Sequence, residues 1–198
     1  MHRITPISLV LPAGGCLVHD ERGLVEQAKR GDAQALARLY EEYFDRIYRY
    51  IAIRVGSRAD AEDLAGQVFL KMLESISSFK WRGVPFSAWL FRIAHNLAVD
   101  YLRQKAKKGH LVLDESMAIS EIDPAALAEV RLNIEQLNIA LSQLTKNQKE
   151  VMALRFGAGL STAETARVVG KSEGAVKALQ HSALVALRKR LSSWRNDE

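Results

Sequence analysis

The sequence predicts an all-α protein of two small helical domains joined by a flexible linker, the C-terminal domain being a helix-turn-helix. Apolar residues recur at spacings of three and four in both halves of the chain, and strand-like alternation is nowhere sustained. An acidic stretch interrupted by Pro124 separates the halves. We therefore expect an extension over 1–20, a domain over 21–106, a linker over 107–133 and a domain over 134–198.

Composition narrows the class of protein. The chain has 198 residues, with 28 Lys and Arg against 23 Asp and Glu, a mild basic excess compatible with a polyanionic partner. The single cysteine, Cys16, excludes an internal disulfide and provides no cysteine cluster for zinc, as is usual in the cytoplasm. The apolar stretch over 7–13 faintly resembles an export signal, but Pro12 interrupts it, so we expect a flexible extension there. No apolar run reaches the roughly 18–20 residues that cross a bilayer, so we expect no membrane insertion.

Three amphipathic helices are predicted in the first domain. Apolar residues at helical spacing run over 36–50 and again over 64–72, and a turn at 56–58 separates the two runs. A third helix is predicted to begin near Phe86, after a glycine- and proline-containing loop at 83–85. The polar face of this third helix carries basic and amide side chains.

The C-terminal domain carries the most specific pattern. Ser161 with Glu164 three residues later forms a capping box that begins a short helix, and Gly170 ends this helix. Ser172 then caps a second helix whose apolar residues are spaced to pack on the first. A helical hairpin within a bundle is the alternative, but a bundle requires neither so short a first helix nor this turn. The pattern therefore predicts a helix-turn-helix over 161–181.

The second helix of this motif is expected to contact duplex DNA. Its outward side chains would reach base edges, while its N-terminus and the basic residues after it suit phosphates. The candidate residues are Lys171, Ser172, Glu173, Lys177, Ala178, His181 and Arg188.

Aromatic and basic residues alternate between Phe79 and Arg92 in the first domain. Rings stack on unpaired bases and cations hold the backbone, which favours binding of single-stranded nucleic acid. Phe86 and Trp89 are expected in the core, whereas Trp81 is the better candidate for stacking. The candidate residues here are Lys80, Trp81, Arg82, Arg92, Asn96 and Arg103.

Acidic residues Asp60, Glu62 and Asp63 lie at the predicted start of the second helix, where they favour the helix dipole. They could form only a charged first turn, or they could bind the metal ion of an enzyme. No histidine or further carboxylate pattern accompanies them, so we expect no metal site.

Three segments together resemble one family. The segment over 144–191 resembles the fourth conserved region of bacterial sigma factors. The Asp60-Ala61-Glu62-Asp63-Leu64 helix start is similar to the helix that docks on RNA polymerase, and 78–103 resembles the loop and helix that open the minus-ten element. With only a short linker between two modules, the chain resembles the small extracytoplasmic-function (ECF) group of the sigma-70 family.

The resemblance implies a transcription factor without catalytic residues, metal or cofactor of its own. It implies three partners: core RNA polymerase, through the clamp of its largest subunit and the flap of its second; promoter DNA; and an anti-sigma factor. The helix-turn-helix residues would hold the minus-thirty-five element, and the aromatic and basic residues would hold the melted minus-ten strand. Polymerase binding would involve Asp60, Glu62, Asp63, Leu64, Gln67 and Phe69.

Two other functions remain open from the sequence. A stand-alone helix-turn-helix regulator would bind duplex DNA tightly without polymerase. A nuclease that uses the acidic triplet would depend on a divalent metal. For the sigma-like reading, the linker permits a closed state in which one module masks the other, and an open state bound to polymerase.

Overall fold

The structure is a computed structural model that describes residues 20–107, 139–141 and 143–194, with side chains up to Arg190. Every regular element within these ranges is helical, which confirms the predicted all-α class. Most of the predicted N-terminal extension, including Cys16, and most of the predicted linker lie outside the described residues. None of the described helices is long and apolar enough to span a membrane.

The N-terminal domain contains four α-helices. These are α1 (Glu21–Lys29), α2 (Ala33–Val55), α3 (Arg58–Ser75) and α4 (Phe86–Lys107), with a short 3-10 turn at Ile76–Ser78 after α3. Helices α2, α3 and α4 are the three that the apolar spacing predicted.

Local sequence signals fix the ends of these helices. The Asp32 side chain caps α2 by accepting a hydrogen bond from the Ala35 amide at 2.9 Å. Gly56 ends α2 in the left-handed conformation, with φ of 69°, which a glycine adopts without steric cost. Ser57 then caps α3 by accepting from the Asp60 amide. The predicted turn at 56–58 is therefore confirmed, and it lets α3 pack back on α2.

The C-terminal domain contains α5 (Lys146–Met152), α6 (Thr162–Val169) and α7 (Glu173–Trp194). In the sequence, Thr145 with Gln148 three residues later predicts a second capping box, and the residues after it predict a helix before the helix-turn-helix that continues to Phe156. The α-helix ends at Met152 instead and continues as a π-helical turn over Ala153–Gly157. Sequence spacing does not distinguish such a π turn from an α turn.

The main hydrophobic core extends across both domains. It includes Tyr50 and Ile51 of α2 and Phe91 of α4, together with Leu154 and Leu160 of the C-terminal domain, all fully buried. The C-terminal domain also has two small clusters of its own: one comprises Ala140, Leu144, Ala183 and Leu187, and the other Val151, Ala166 and Val176. The described residues thus form a closed arrangement in which the π turn and α6 pack against α2 and α4.

Candidate nucleic-acid and polymerase surfaces

The helix-turn-helix is present as predicted. Ser161 and Glu164 form a reciprocal capping box at the start of α6, with the Ser161 amide donating to the Glu164 carboxylate at 2.8 Å. Gly170 ends α6 in the left-handed conformation, with φ of 66°. Val176 of α7 is buried in a cluster with Ala166 of α6. This packing fixes α7 as the second helix of the motif and sets which of its faces is exposed.

All seven side chains predicted to contact duplex DNA are exposed. Ser172 caps α7 by accepting a hydrogen bond from the Ala175 amide at 3.2 Å. The helix therefore begins directly after Ser172, as predicted. Lys177 and His181 lie one turn apart on the outward face of α7, opposite buried Val176 and Ala183. We call this exposed set, with its basic extension, the recognition face: Lys171, Ser172, Glu173, Lys177, Ala178, His181 and Arg188.

The aromatic residues of the first domain form one cluster after α3. Phe79 is buried and contacts Trp81, Phe86 and Trp89, with ring centroids 5.0–5.6 Å apart. Phe86 is fully buried, as expected, and Trp89 is half-buried. The half-buried Trp81 ring lies at the edge of this cluster. Its Nε1 donates to Oε1 of Glu26 at 3.1 Å, so α1 helps to position the loop. No local sequence pattern indicates this role of Glu26, because the bond joins residues of distant segments.

Basic side chains surround the aromatic cluster. Lys80 and Arg82 are exposed in the loop, and Arg92, Asn96 and Arg103 are exposed along one face of α4. A shallow groove lies between this loop and α4, where Lys80, Trp89 and Arg92 face Arg167 of α6; its full lining is Ser78, Phe79, Lys80, Val84, Ala88, Trp89, Arg92 and Arg167. We call it the aromatic groove. It brings together the ring and cation chemistry that unpaired bases require.

The start of α3 divides into an exposed and a buried face. Glu62, Asp63 and Gln67 are exposed, and Glu62 pairs with Arg58 one turn earlier at 2.9 Å. Leu64 and Phe69 are buried in the main core and present almost no surface to a partner. Leu64 and Phe69 are two of the six residues predicted to bind polymerase. Their side chains instead pack α3 against the core.

Asp60 connects α3 to α4. Its carboxylate accepts a hydrogen bond from the Tyr101 hydroxyl, and Lys105 lies 4.0 Å from the same oxygen. The bonds from Tyr101 and from Ser57 lower the pKa of Asp60, so the group is an anion at neutral pH. Within the described residues, no group of three or more His, Cys, Asp and Glu side chains could hold a metal ion.

A buried group of four polar residues joins the two domains, and sequence analysis missed it. Glu150 of α5 is 6 % exposed, and its carboxylate lies 2.7 Å from Arg54 Nη2 and 2.9 Å from His95 Nδ1. The Tyr50 hydroxyl also donates to it. We call these residues, Tyr50, Arg54, His95 and Glu150, the Glu150 cluster. No local sequence signal could have found it, because Glu150 lies 55 to 100 positions from two of its partners.

The ionisation of the Glu150 cluster follows from its contacts. Burial by itself raises the pKa of Glu150, but the hydrogen bond from His95 and the charge of Arg54 outweigh it and leave the pKa below the ordinary value of 4.5. Burial beside this carboxylate raises the pKa of Tyr50 well above its ordinary value, so the phenol stays a neutral donor. At neutral pH the cluster therefore contains a carboxylate held by a guanidinium and by two hydrogen-bonding side chains.

Three further hydrogen bonds cross the domain boundary, two of them near the aromatic groove. Ser87 at the start of α4 donates to the Glu164 carboxylate, and Arg92 Nη1 donates to the carbonyl of Arg167 at 3.1 Å. Arg46 of α2 donates to the Ala158 carbonyl at 2.8 Å. One residue predicted to hold the minus-ten strand, Arg92, is therefore already engaged by the C-terminal domain.

Comparison with protein-family models divides the chain into the same two domains. The model "Sigma-70 region 2" matches residues 39–108, and the model "Sigma-70, region 4" matches residues 140–189. The first match contains α3 and every lining residue of the aromatic groove except Arg167, and the second contains the helix-turn-helix.

Two curated relatives and one solved structure are similar to the chain. It is 41% identical over 170 residues to the ECF RNA polymerase sigma factor BldN of Streptomyces coelicolor, an alignment that covers 85% of this chain but only 64% of BldN. It is 30% identical to the ECF RNA polymerase sigma factor SigX of Bacillus subtilis, covering 80% of this chain and 84% of SigX. The structure of CnrH in complex with the cytosolic domain of CnrY superimposes with a TM-score of 0.68 at 25% identity, covering 87% of this chain and 97% of CnrH. The chain belongs to the ECF sigma factors of the sigma-70 family.

Proposed function

We propose that this protein directs core RNA polymerase to specific promoters and assists promoter melting. The observation that carries the proposal is that one chain combines an exposed recognition face with the aromatic groove. The recognition face lies within the segment that matches region 4, and the groove residues other than Arg167 lie within the segment that matches region 2. A regulator that only binds an operator has no need of the second surface. The stand-alone regulator is accordingly not favoured.

Each surface receives one role in this proposal. The recognition face holds the minus-thirty-five element as duplex, with side chains toward base edges and basic groups toward phosphates. The aromatic groove, together with Trp81 at the edge of the aromatic cluster and with Asn96 and Arg103 further along α4, holds the unpaired minus-ten strand. The exposed acidic face of α3 docks on the clamp of the largest polymerase subunit, and the C-terminal domain docks on the flap of the second.

The protein itself catalyses no reaction in this scheme. Nucleotide transfer, and the magnesium that it requires, belong to the polymerase, so this chain needs only to bind, orient and hold open the promoter. We further propose that it acts in the cytoplasm and that an anti-sigma factor controls it. The latter is supported by CnrH, which was solved with the cytosolic domain of another protein, CnrY, bound to it.

Capture of purified core RNA polymerase tests the proposal against the stand-alone regulator. The immobilised full-length chain should retain core polymerase, and its own affinity for mixed genomic duplex DNA should be weak. Tight retention of particular duplexes by the chain alone, with no retention of polymerase, would instead identify a regulator.

A further inference from the structure

We propose that Glu26 of α1 is a positioning residue for promoter melting, because its carboxylate fixes the indole ring of Trp81 in the orientation that receives an unpaired base. The inference rests on the proposed function for the stacking role of Trp81. Helix α1 precedes residues 39–108, which match the region 2 model. The surface that opens the promoter therefore extends to a helix outside that match.

Helix α1 supports the segment that carries Trp81. Val25 and Ala28 of α1 are buried in the main core together with Ile76 and Phe79. The helix also packs directly against the short 3-10 turn that follows α3 and leads into the loop. Because these side chains share one core, the position of α1 is fixed relative to the start of the loop.

The Trp81 ring has two contacts of different kinds. Its centroid lies 5.0 Å from that of the buried Phe79, with the ring planes 75° apart, which is an edge-to-face contact. Its Nε1 donates to Oε1 of Glu26 at 3.1 Å. An indole has one hydrogen-bond donor, so this bond satisfies all of its polar capacity. The ring contact sets where the indole lies, and the hydrogen bond sets how it is rotated.

A fixed rotation of the ring matters for base capture. The rotation of an aromatic ring about its terminal torsion is broad unless the surroundings restrict it, and Trp81 is only half-buried. A side chain that is ordered before its ligand arrives loses less conformational freedom on binding. The bond to Glu26 therefore prepares the face of Trp81 for an unpaired base.

Lys29 makes the carboxylate compatible with a DNA-binding surface. Its Nζ donates to both carboxylate oxygens of Glu26, at 3.0 and 3.1 Å. The hydrogen bonds from Lys29 and Trp81 lower the pKa of Glu26, so the group is an anion at neutral pH. An ionised acceptor forms the stronger hydrogen bond to the indole, and the ammonium offsets its charge toward an approaching phosphate.

The first measurement follows the bond itself by nuclear magnetic resonance of the free, full-length chain. The indole N–H signal of Trp81 is identified by its absence from Trp81→Phe, and its rate of hydrogen exchange with water is measured. Loss of a hydrogen bond to a charged group should make this exchange about tenfold faster in Glu26→Ala. Gln27→Ala changes the next, exposed position of α1 and should leave the rate unchanged.

The second measurement follows promoter opening by core polymerase with each variant, through the permanganate reactivity of the unpaired bases. Glu26→Ala should slow opening about tenfold in the unsubstituted chain. It should have no further effect in the Trp81→Phe background, because phenylalanine has no donor for the bond. Glu26→Gln keeps an acceptor oxygen and should restore most of the rate.

The effect of charge alone has the opposite sign. Removal of a carboxylate reduces repulsion of the DNA phosphates, so it would by itself speed opening. Glu41→Ala is the matched control, because it removes the same charge at an exposed position of α2. This variant should not slow opening.

Equal slowing by Glu26→Ala in the unsubstituted chain and in the Trp81→Phe background would overturn the proposal, because Glu26 would then act only through the stability of α1. An unchanged exchange rate of the Trp81 indole N–H in Glu26→Ala would overturn it as well. Both results leave the stacking role of Trp81 standing. Normal opening by Trp81→Ala would instead refute that stacking role, and only this result counts against the proposed function too.

Discussion

Lys177 illustrates how much of the site depends on single exposed side chains. It lies on the outward face of α7, between the buried Val176 and the exposed Ala178, so its side chain can be changed without disturbing the core. The recognition face is therefore defined by the side chains that point outward from the protein core.

Lys177→Ala should weaken transcription that depends on the minus-thirty-five element while leaving the fold intact. Loss of a side chain directed at base edges should cost about 1–3 kcal/mol of affinity for the matching element and should relax specificity at that position. Run-off transcription with core polymerase, on promoters with intact and with substituted minus-thirty-five elements, measures both effects. Lys146→Ala is the matched control, since Lys146 is also exposed but lies at the start of α5, outside the recognition face. Unchanged output from Lys177→Ala would remove this residue from the DNA contact.

Trp81→Ala should impair promoter opening while sparing the capture of polymerase. Stacking of a base on an aromatic ring contributes about 1–3 kcal/mol, so removal of the ring should slow open-complex formation markedly. Trp81→Phe keeps a ring but loses the hydrogen bond to Glu26, so it separates stacking from positioning. Permanganate reactivity of the unpaired promoter bases follows the opening. Normal opening by Trp81→Ala would refute the role assigned to this ring.

At the scale of elements, the helix ends are fixed by short local signals, and sequence analysis predicted them. The capping boxes at Thr145 and Ser161 and the glycine ends at Gly56 and Gly170 are all present. Such signals involve residues within four positions of one another, so one sequence is enough to recognise them. The π turn after Met152 was not predicted, because it depends on packing against α2 and not on local spacing.

Two glycine substitutions should have opposite effects on stability. Gly170→Ala places a side chain in the left-handed region that ends α6, which should destabilise the protein by about 1–2 kcal/mol. Gly66→Ala is in the exposed middle of α3 with open space around it, and should stabilise the protein by ~0.4–1 kcal/mol. Urea unfolding followed by circular dichroism compares them. Equal shifts of the two midpoints would contradict this account of the α6 end.

At the scale of the whole molecule, the contacts between the two domains could not be predicted from the sequence. Two helical domains and their surfaces follow from periodicity and motifs. The contact of Glu150 with Tyr50 and His95 joins distant segments and has no local signature. Arg54 reads in sequence as an ordinary surface cation at the end of α2, yet it is almost completely buried against Glu150.

Acid should open the closed arrangement. With the domains together, the pKa of Glu150 is below its ordinary value. The ionised carboxylate therefore fully stabilises the closed arrangement above the ordinary pKa, and this stabilisation is lost as the pH falls through the lowered pKa. The groups that face Glu150 are Tyr50, Arg54 and His95 across the boundary, with Lys149 beside it on α5.

Scattering measured from neutral to acidic pH tests this direction. The radius of gyration should stay constant near neutrality and rise once the pH falls below the ordinary carboxylate range. Glu164 at the same boundary also has a lowered pKa, because its bonds from Ser161 and Ser87 outweigh burial, and it should act in the same direction. Glu150→Gln should therefore reduce the acid-induced change without abolishing it. A radius that falls with acid would contradict the assignment.

Promoter-dependent transcription is the most direct test of whether this protein directs core RNA polymerase to specific promoters. Purified core polymerase is incubated with a genomic promoter library, with and without this protein, and the start sites of the run-off transcripts are sequenced. We expect transcripts from a defined set of promoters only when the protein is present, with shared elements near minus ten and minus thirty-five. The same start sites with and without the protein would show that it is not acting as a sigma factor.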